Sequence, residues 1–248
     1  PQNAAWRSLT MRHLNRTVTG LGIILALAGV FQFGCASHSA VGKNAGVTTK
    51  EQQAAMTPDA VLAELKAGNA RFVSGHTRDY DLREQARVSA AGQYPTAIVL
   101  GCLDSRVPPE MVFDQGIGNI FVGRVAGNFV NTDLLGSMEF GSAVAGAKLI
   151  VVLGHDHCGA IKGAIDEAKL GNLTATLANI KVDTTGVPGQ RSSSNEALVK
   201  AVTEDNVREN VKAIPARSPV LAERVRNGQL KIVGGLYDLE SGRVTWLD

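Results

Sequence analysis

Two kinds of apolar pattern alternate along the chain. Four short runs, TAIVLG (96–101), NIFVGR (119–124), LIVVLG (149–154) and LKIVGGLYD (230–238), are nearly continuous in branched and other large apolar residues. Runs of this length and composition predict strands buried on both faces. Between them, apolar positions recur three or four apart, most clearly in TDLLGSMEFGSAVAGA (132–147) and SNEALVKAVTEDNVRENVKAI (194–214), which predict helices. Upstream, Thr57-Pro58 supplies a cap and a first-turn proline for a helix through DAVLAELKAGNARFVSG, with Val61, Leu62, Leu65 and Phe72 at helical spacing. Strands alternating with helices predict right-handed crossovers and an α/β fold: a mainly parallel central β-sheet flanked by α-helices. The terminal GLYDLESGRVTWL breaks at a Ser-Gly turn and predicts a hairpin, and TTGVPGQRSSS (184–194) reads as a loop.

The N-terminal pattern is of a different kind. Met11 is followed by Arg12 and Arg16, then by the apolar run LGIILALAGVFQFG (21–34), then by small residues, CASHSA. That order is the pattern of an export signal, and the apolar run is short for a membrane span. Residues 1–36 therefore read as an N-terminal extension and signal peptide, 37–56 as a small and polar linker, and 57–248 as a single domain. The expected location is periplasmic. Cys35 after Gly34 offers a lesser alternative, a lipid anchor, which Phe33 and Gln32 fit poorly.

Composition adds little until this segment is set aside. The 248 residues are 44% hydrophobic and 19% charged, as in a globular protein, with a formal charge of +2. Residues 1–36 carry three basic residues and no acidic one, so their removal leaves 22 basic against 23 acidic residues, a charge of −1. No clustered basic excess points to nucleic acid. Of the three cysteines, only Cys102 and Cys158 then remain.

Those two cysteines end two of the strands. IVLG runs into Cys102, and VVLG into His155-Asp156-His157-Cys158. Ligands gather at the carboxyl ends of parallel strands, so neighbouring strands here would bring Cys102, His155 and Cys158 to one point. Two thiolates and an imidazole suit Zn²⁺ and leave a fourth position open. Asp104 lies two residues beyond Cys102 and Arg106 two further on, so a turn could aim the carboxylate at the metal while the guanidinium holds it. Pro108-Pro109 would stiffen that loop. The plainer readings are a Cys102–Cys158 disulfide or buried apolar cysteines, a local Asp104–Arg106 ion pair, and His157 as a solvent-facing neighbour of the ligands. A zinc deaminase would want H-x-E with P-C-x-x-C, which is absent.

These residues resemble the β-class carbonic anhydrases: C-L-D-S-R (102–106) matches that family's C-x-D-S-R, and G-H-D-H-C-G-A (154–160) its G-H-x-x-C-G block. Further similar stretches are G-N-A-R-F-V (68–73), F-V-G-R-V-A-G-N (121–128) and G-G-L-Y-D-L-E-S-G-R-V (234–244). The resemblance implies a zinc enzyme, one Zn²⁺ per subunit, that interconverts CO₂ and bicarbonate by a zinc-bound hydroxide. Cys102, His155 and Cys158 would be the ligands and Asp104 with Arg106 the adjacent dyad. It also implies a homodimer or dimer of dimers, with Gln115 as a substrate contact and apolar residues of 113–121 lining the pocket. Asp156 or His157 are the candidates for passing protons to solvent. In some members the equivalent aspartate swings onto the metal at rest. Carbonyl sulfide or carbon disulfide are alternative substrates for the same scaffold, and a structural zinc is a non-catalytic alternative.

Overall fold

The four apolar runs form the strands that the pattern predicts. The computed structural model describes residues 46–247, so the export-type segment and Cys35 lie outside the described residues. Within it, β1 (Ala97–Gly101), β2 (Ile120–Arg124), β3 (Leu149–His155) and β4 (Lys231–Tyr237) run parallel, with β5 (Val244–Leu247) antiparallel on β4. The strand order is β2-β1-β3-β4-β5. The helices are α1 (Lys50–Ala55), α2 (Pro58–Ser74), α3 (Leu82–Ser89), α4 (Pro109–Val112), α5 (Thr132–Glu139), α6 (Gly159–Ile165), α7 (Gly171–Leu177), α8 (Glu196–Arg217) and α9 (Pro219–Arg226).

Continuous apolar runs are needed because both sheet faces are covered. Val99, Leu149, Val151 and Leu153 pack on one face with Val61 and Leu65 of α2 and with Phe113. Ile98, Leu100, Ile150 and Val152 pack on the other with Leu135, Val207, Ile214 and Leu221 of the helices α5, α8 and α9. Every residue of β1 and β3 is buried. Phe113, expected among the pocket residues, is instead fully buried, with its ring centroid 5.9 Å from that of Trp246.

Close approach of backbone fixes α2. A Cβ on Gly68 would stand 1.9 Å from the carbonyl oxygen of Phe113. The neighbouring Asn69 is buried, donating to the carbonyls of Val112 and Gly242 and accepting from the Val244 amide. One side chain thus ties α2 to the end of α4 and to the terminal hairpin.

Two expectations are corrected. The segment 37–56 is not a linker throughout: Thr49 and Gln52 form a capping box that opens α1. Gln53 is buried, its amide donating to the carbonyls of Pro95 and Ala145. The helix over 132–147 is also shorter than its pattern. After Glu139 the backbone widens into a π turn, Phe140–Val144, where Gly141 packs against Ile98 and Phe121.

Candidate metal centre

The chain leaves β1 for β2 on one side, while β3 lies on the other side of β1. Such a reversal leaves a crevice at the carboxyl ends of the two strands. Cys102 follows the last residue of β1, His155 ends β3, and Cys158 precedes the first turn of α6. All three are buried, and their ligand atoms lie within 4.8 Å of one another.

The geometry distinguishes a metal site from its plainer alternatives. Both cysteines are free, with sulfurs 3.8 Å apart, so there is no disulfide. Two Zn–S bonds of about 2.3 Å at a tetrahedral angle place their sulfurs about 3.8 Å apart, so the observed spacing fits. His155 Nδ1 lies 2.7 Å from the Asp156 carbonyl, which can only accept, so Nδ1 carries the proton. That leaves Nε2 with a lone pair, buried and without a hydrogen-bond partner. An orphaned imidazole nitrogen facing two thiols is an incomplete site that a borderline-soft cation would complete.

Electrostatics favour a cation. Contact with Cys158 first, then with His155 and the Gly127 amide, lowers the pKa of Cys102 although burial opposes it. The same sharing, with burial, raises Cys158. Burial lowers the pKa of His155, but the neighbouring Cys102 sulfur outweighs it and the net direction is upward. Two sulfurs in contact cannot both ionise without a positive charge between them.

The loop after β1 holds Asp104 in a fixed pose. The Arg106 amide and Nε donate to Oδ1 at 3.0 and 2.9 Å, and Nη2 donates to Oδ2 at 2.7 Å. These bonds to Arg106 hold the carboxyl well below the usual carboxylate range. Oδ1 has both lone pairs engaged, whereas Oδ2 has one to spare and lies 3.9 Å from His155 Nε2. Arg124, at the end of β2, donates to the carbonyls of Cys102 and Asp104 and so braces the loop from the neighbouring strand.

The remaining sequence candidates are placed apart. Gln115 donates to the Phe113 carbonyl within its own loop. Asp156 accepts from the Leu239 amide, joining the end of β3 to the turn after β4. His157 is exposed, with a φ of 51° and Nε2 3.7 Å from Asp156 Oδ2, and lies outside the Cys102–His155–Cys158 group. A cavity of about 610 Å³ is bordered by Asp156, His157, Lys162 and Tyr237 among others, and not by the Cys–His–Cys group. Sequence reasoning missed Arg124 and Gly127. Both stand in the family-like stretch F-V-G-R-V-A-G-N (121–128), Arg124 as the last residue of β2 and Gly127 just beyond it, but nothing in that stretch marks a role for either.

Comparison with known proteins gives a consistent picture. A family model described as carbonic anhydrase matches residues 97–244. Carbonic anhydrase 2 of Mycobacterium tuberculosis is 39% identical over 195 residues, covering 77% of this chain and 93% of that protein. A carbonic anhydrase of Mycolicibacterium smegmatis is 38% identical over 191 residues, covering 75% and 92%. Among solved structures, the β-carbonic anhydrase CafA of Aspergillus fumigatus superposes with a TM-score of 0.59 at 28% identity, covering 77% of this chain and 90% of that one.

Proposed function

Since the chain belongs to the β-class carbonic anhydrases, we propose that it catalyses the reversible hydration of CO₂ to bicarbonate and a proton at a zinc ion held by Cys102, His155 and Cys158. The observation that carries the reading is the convergence of two free sulfurs 3.8 Å apart with the orphaned Nε2 of His155. Zinc, when bound, makes a coordinated water acidic enough to serve as the nucleophile near neutral pH.

The chain's own residues supply orientation. Asp104 Oδ2 keeps one lone pair free on the side nearest His155 Nε2. It accepts a hydrogen bond from the attacking water and points the water's own lone pair at the carbon of CO₂. Arg106 occupies the other acceptor positions of Asp104, so the carboxylate can neither rotate nor take up the proton itself. Arg124 fixes the main chain from which both Cys102 and Asp104 project. Leu103, in the loop after β1, and Met111, in α4, are 66% and 63% exposed. We extend the proposal to export directed by residues 11–36 and to a homodimer that covers these two side chains.

Stopped-flow hydration assays on CO₂, with carbonyl sulfide hydrolysis measured in parallel, test the reading. Rapid turnover of CO₂ with slower turnover of carbonyl sulfide is expected. A preference for carbonyl sulfide would move the chain to another substrate on the same scaffold.

A further inference from the structure

We propose that Asn206 and Asn210, buried on α8, are positioning residues for the metal centre that act on the Cys102 sulfur through Gly127; the inference rests on the zinc reading above. The path is a chain of hydrogen bonds. The Gly127 amide donates to Cys102 Sγ at 3.4 Å, and the Gly127 carbonyl accepts from Asn206 Nδ2 at 2.9 Å. Asn210 Nδ2 donates to the Asn206 main-chain carbonyl at 2.8 Å and to its Oδ1 at 3.3 Å, which turns the Asn206 amide so that its N–H₂ faces Gly127. Asn210 Oδ1 in turn accepts from the Val130 amide at 2.7 Å. Two side chains of one helix therefore hold both ends of the segment 127–130.

That segment needs holding. Gly127 has a φ of +87° and Asn128 a φ of +40°, and the side-chain nitrogen of Asn128 is buried without a partner. Successive left-handed residues with an unsatisfied polar group persist only where their surroundings over-determine them. A leucine at 206 or 210 would match the burial and favour the helix more, with no polar atom to satisfy. What the asparagines add is the fixed direction of the Gly127 N–H. A hydrogen bond to a metal-bound thiolate orients the sulfur and withdraws electron density from it, and loss of such outer bonds weakens metal affinity by roughly 10–100-fold.

The test uses the zinc protein and its cobalt-substituted form. Asn206→Ala removes the clamp, Asn206→Asp keeps the volume but loses the donor, and Asn210→Ala leaves Asn206 in place but unoriented. Thr203→Val is the control, a buried change on the same helix whose hydroxyl donates to the Val199 carbonyl. In competition with a chromophoric chelator, both Asn206 variants should hold zinc roughly 10–100-fold more weakly and Asn210→Ala by less. In the cobalt protein, the sulfur-to-cobalt charge-transfer band should move to lower energy, with no change in Thr203→Val. Wild-type zinc affinity and an unmoved band in folded Asn206→Asp and Asn210→Ala would overturn the proposal. Absence of any sulfur-to-cobalt band in the wild type would overturn the zinc reading and this inference with it.

Discussion

At the scale of single residues, Asp104 and the three candidate ligands make separable contributions. Asp104→Ala removes the oriented acceptor but none of the sulfur or imidazole atoms, so zinc content should stay at the wild-type level. CO₂ hydration should fall about 10²-fold, the scale of loss when a reacting group is no longer held in its productive orientation; metal analysis beside stopped-flow rates checks both halves. Cys158→Ser exchanges a soft ligand for a hard, poorly ionised one, and should lose zinc and turnover together on dialysis. The candidate ligands and the Asp104–Arg106 pair were legible in the sequence because each apolar run stops abruptly, at Cys102 or at His155, and gives way at once to polar side chains, as a buried strand does where it opens onto a site. Asn206 and Asn210 were not legible. On a helix surrounded by charged residues an asparagine reads as solvated, and only the fold shows that these two face the 127–130 segment.

At the scale of elements, the placement of α2 depends on the absence of a side chain. Gly68→Ala sets a methyl against the Phe113 carbonyl at 1.9 Å. Main chain cannot yield as a flexible side chain can, so the loss should reach about 3 kcal/mol, the upper end of overpacking costs. Gly136→Ala in α5 meets nothing within 4 Å and should be neutral or stabilising by up to about 1 kcal/mol. Urea midpoints of the two variants give the comparison. The long helices were readable from periodicity, four strands from their continuous apolar runs and the fifth from the Ser-Gly turn before it. The shorter helices α6 and α7 were not, since α6 starts at a glycine and neither has a side-chain cap. Their position comes from packing on Ile161, Ile165 and Leu177 rather than from local signals. α1 is the instructive miss: its T-x-x-Q capping box stands in the sequence at Thr49–Gln52, overlooked inside a polar stretch.

At the scale of the whole molecule, α1 belongs to the folded body. A chain begun at Thr57 loses both Gln53 hydrogen bonds and leaves the carbonyls of Pro95 and Ala145 without that donor. At about 2 kcal/mol for the pair, its melting temperature should lie roughly 4–8 °C below that of a chain begun at Gly46. Scanning calorimetry of the two chains decides it; equal midpoints would return α1 to the status of a linker. The architecture serves the site at every level: a doubly covered sheet buries β1 and β3, the reversal of strand order at β1 opens a crevice, and that crevice gathers Cys102, His155 and Cys158. That this crevice is a zinc-dependent catalyst of CO₂ hydration is tested most directly by titrating metal-free protein with zinc while following CO₂ hydration by stopped flow. Activity that rises from the uncatalysed level in proportion to added zinc and saturates at one zinc per chain is the predicted result. Zinc that binds without turnover, or turnover indifferent to zinc, would contradict it.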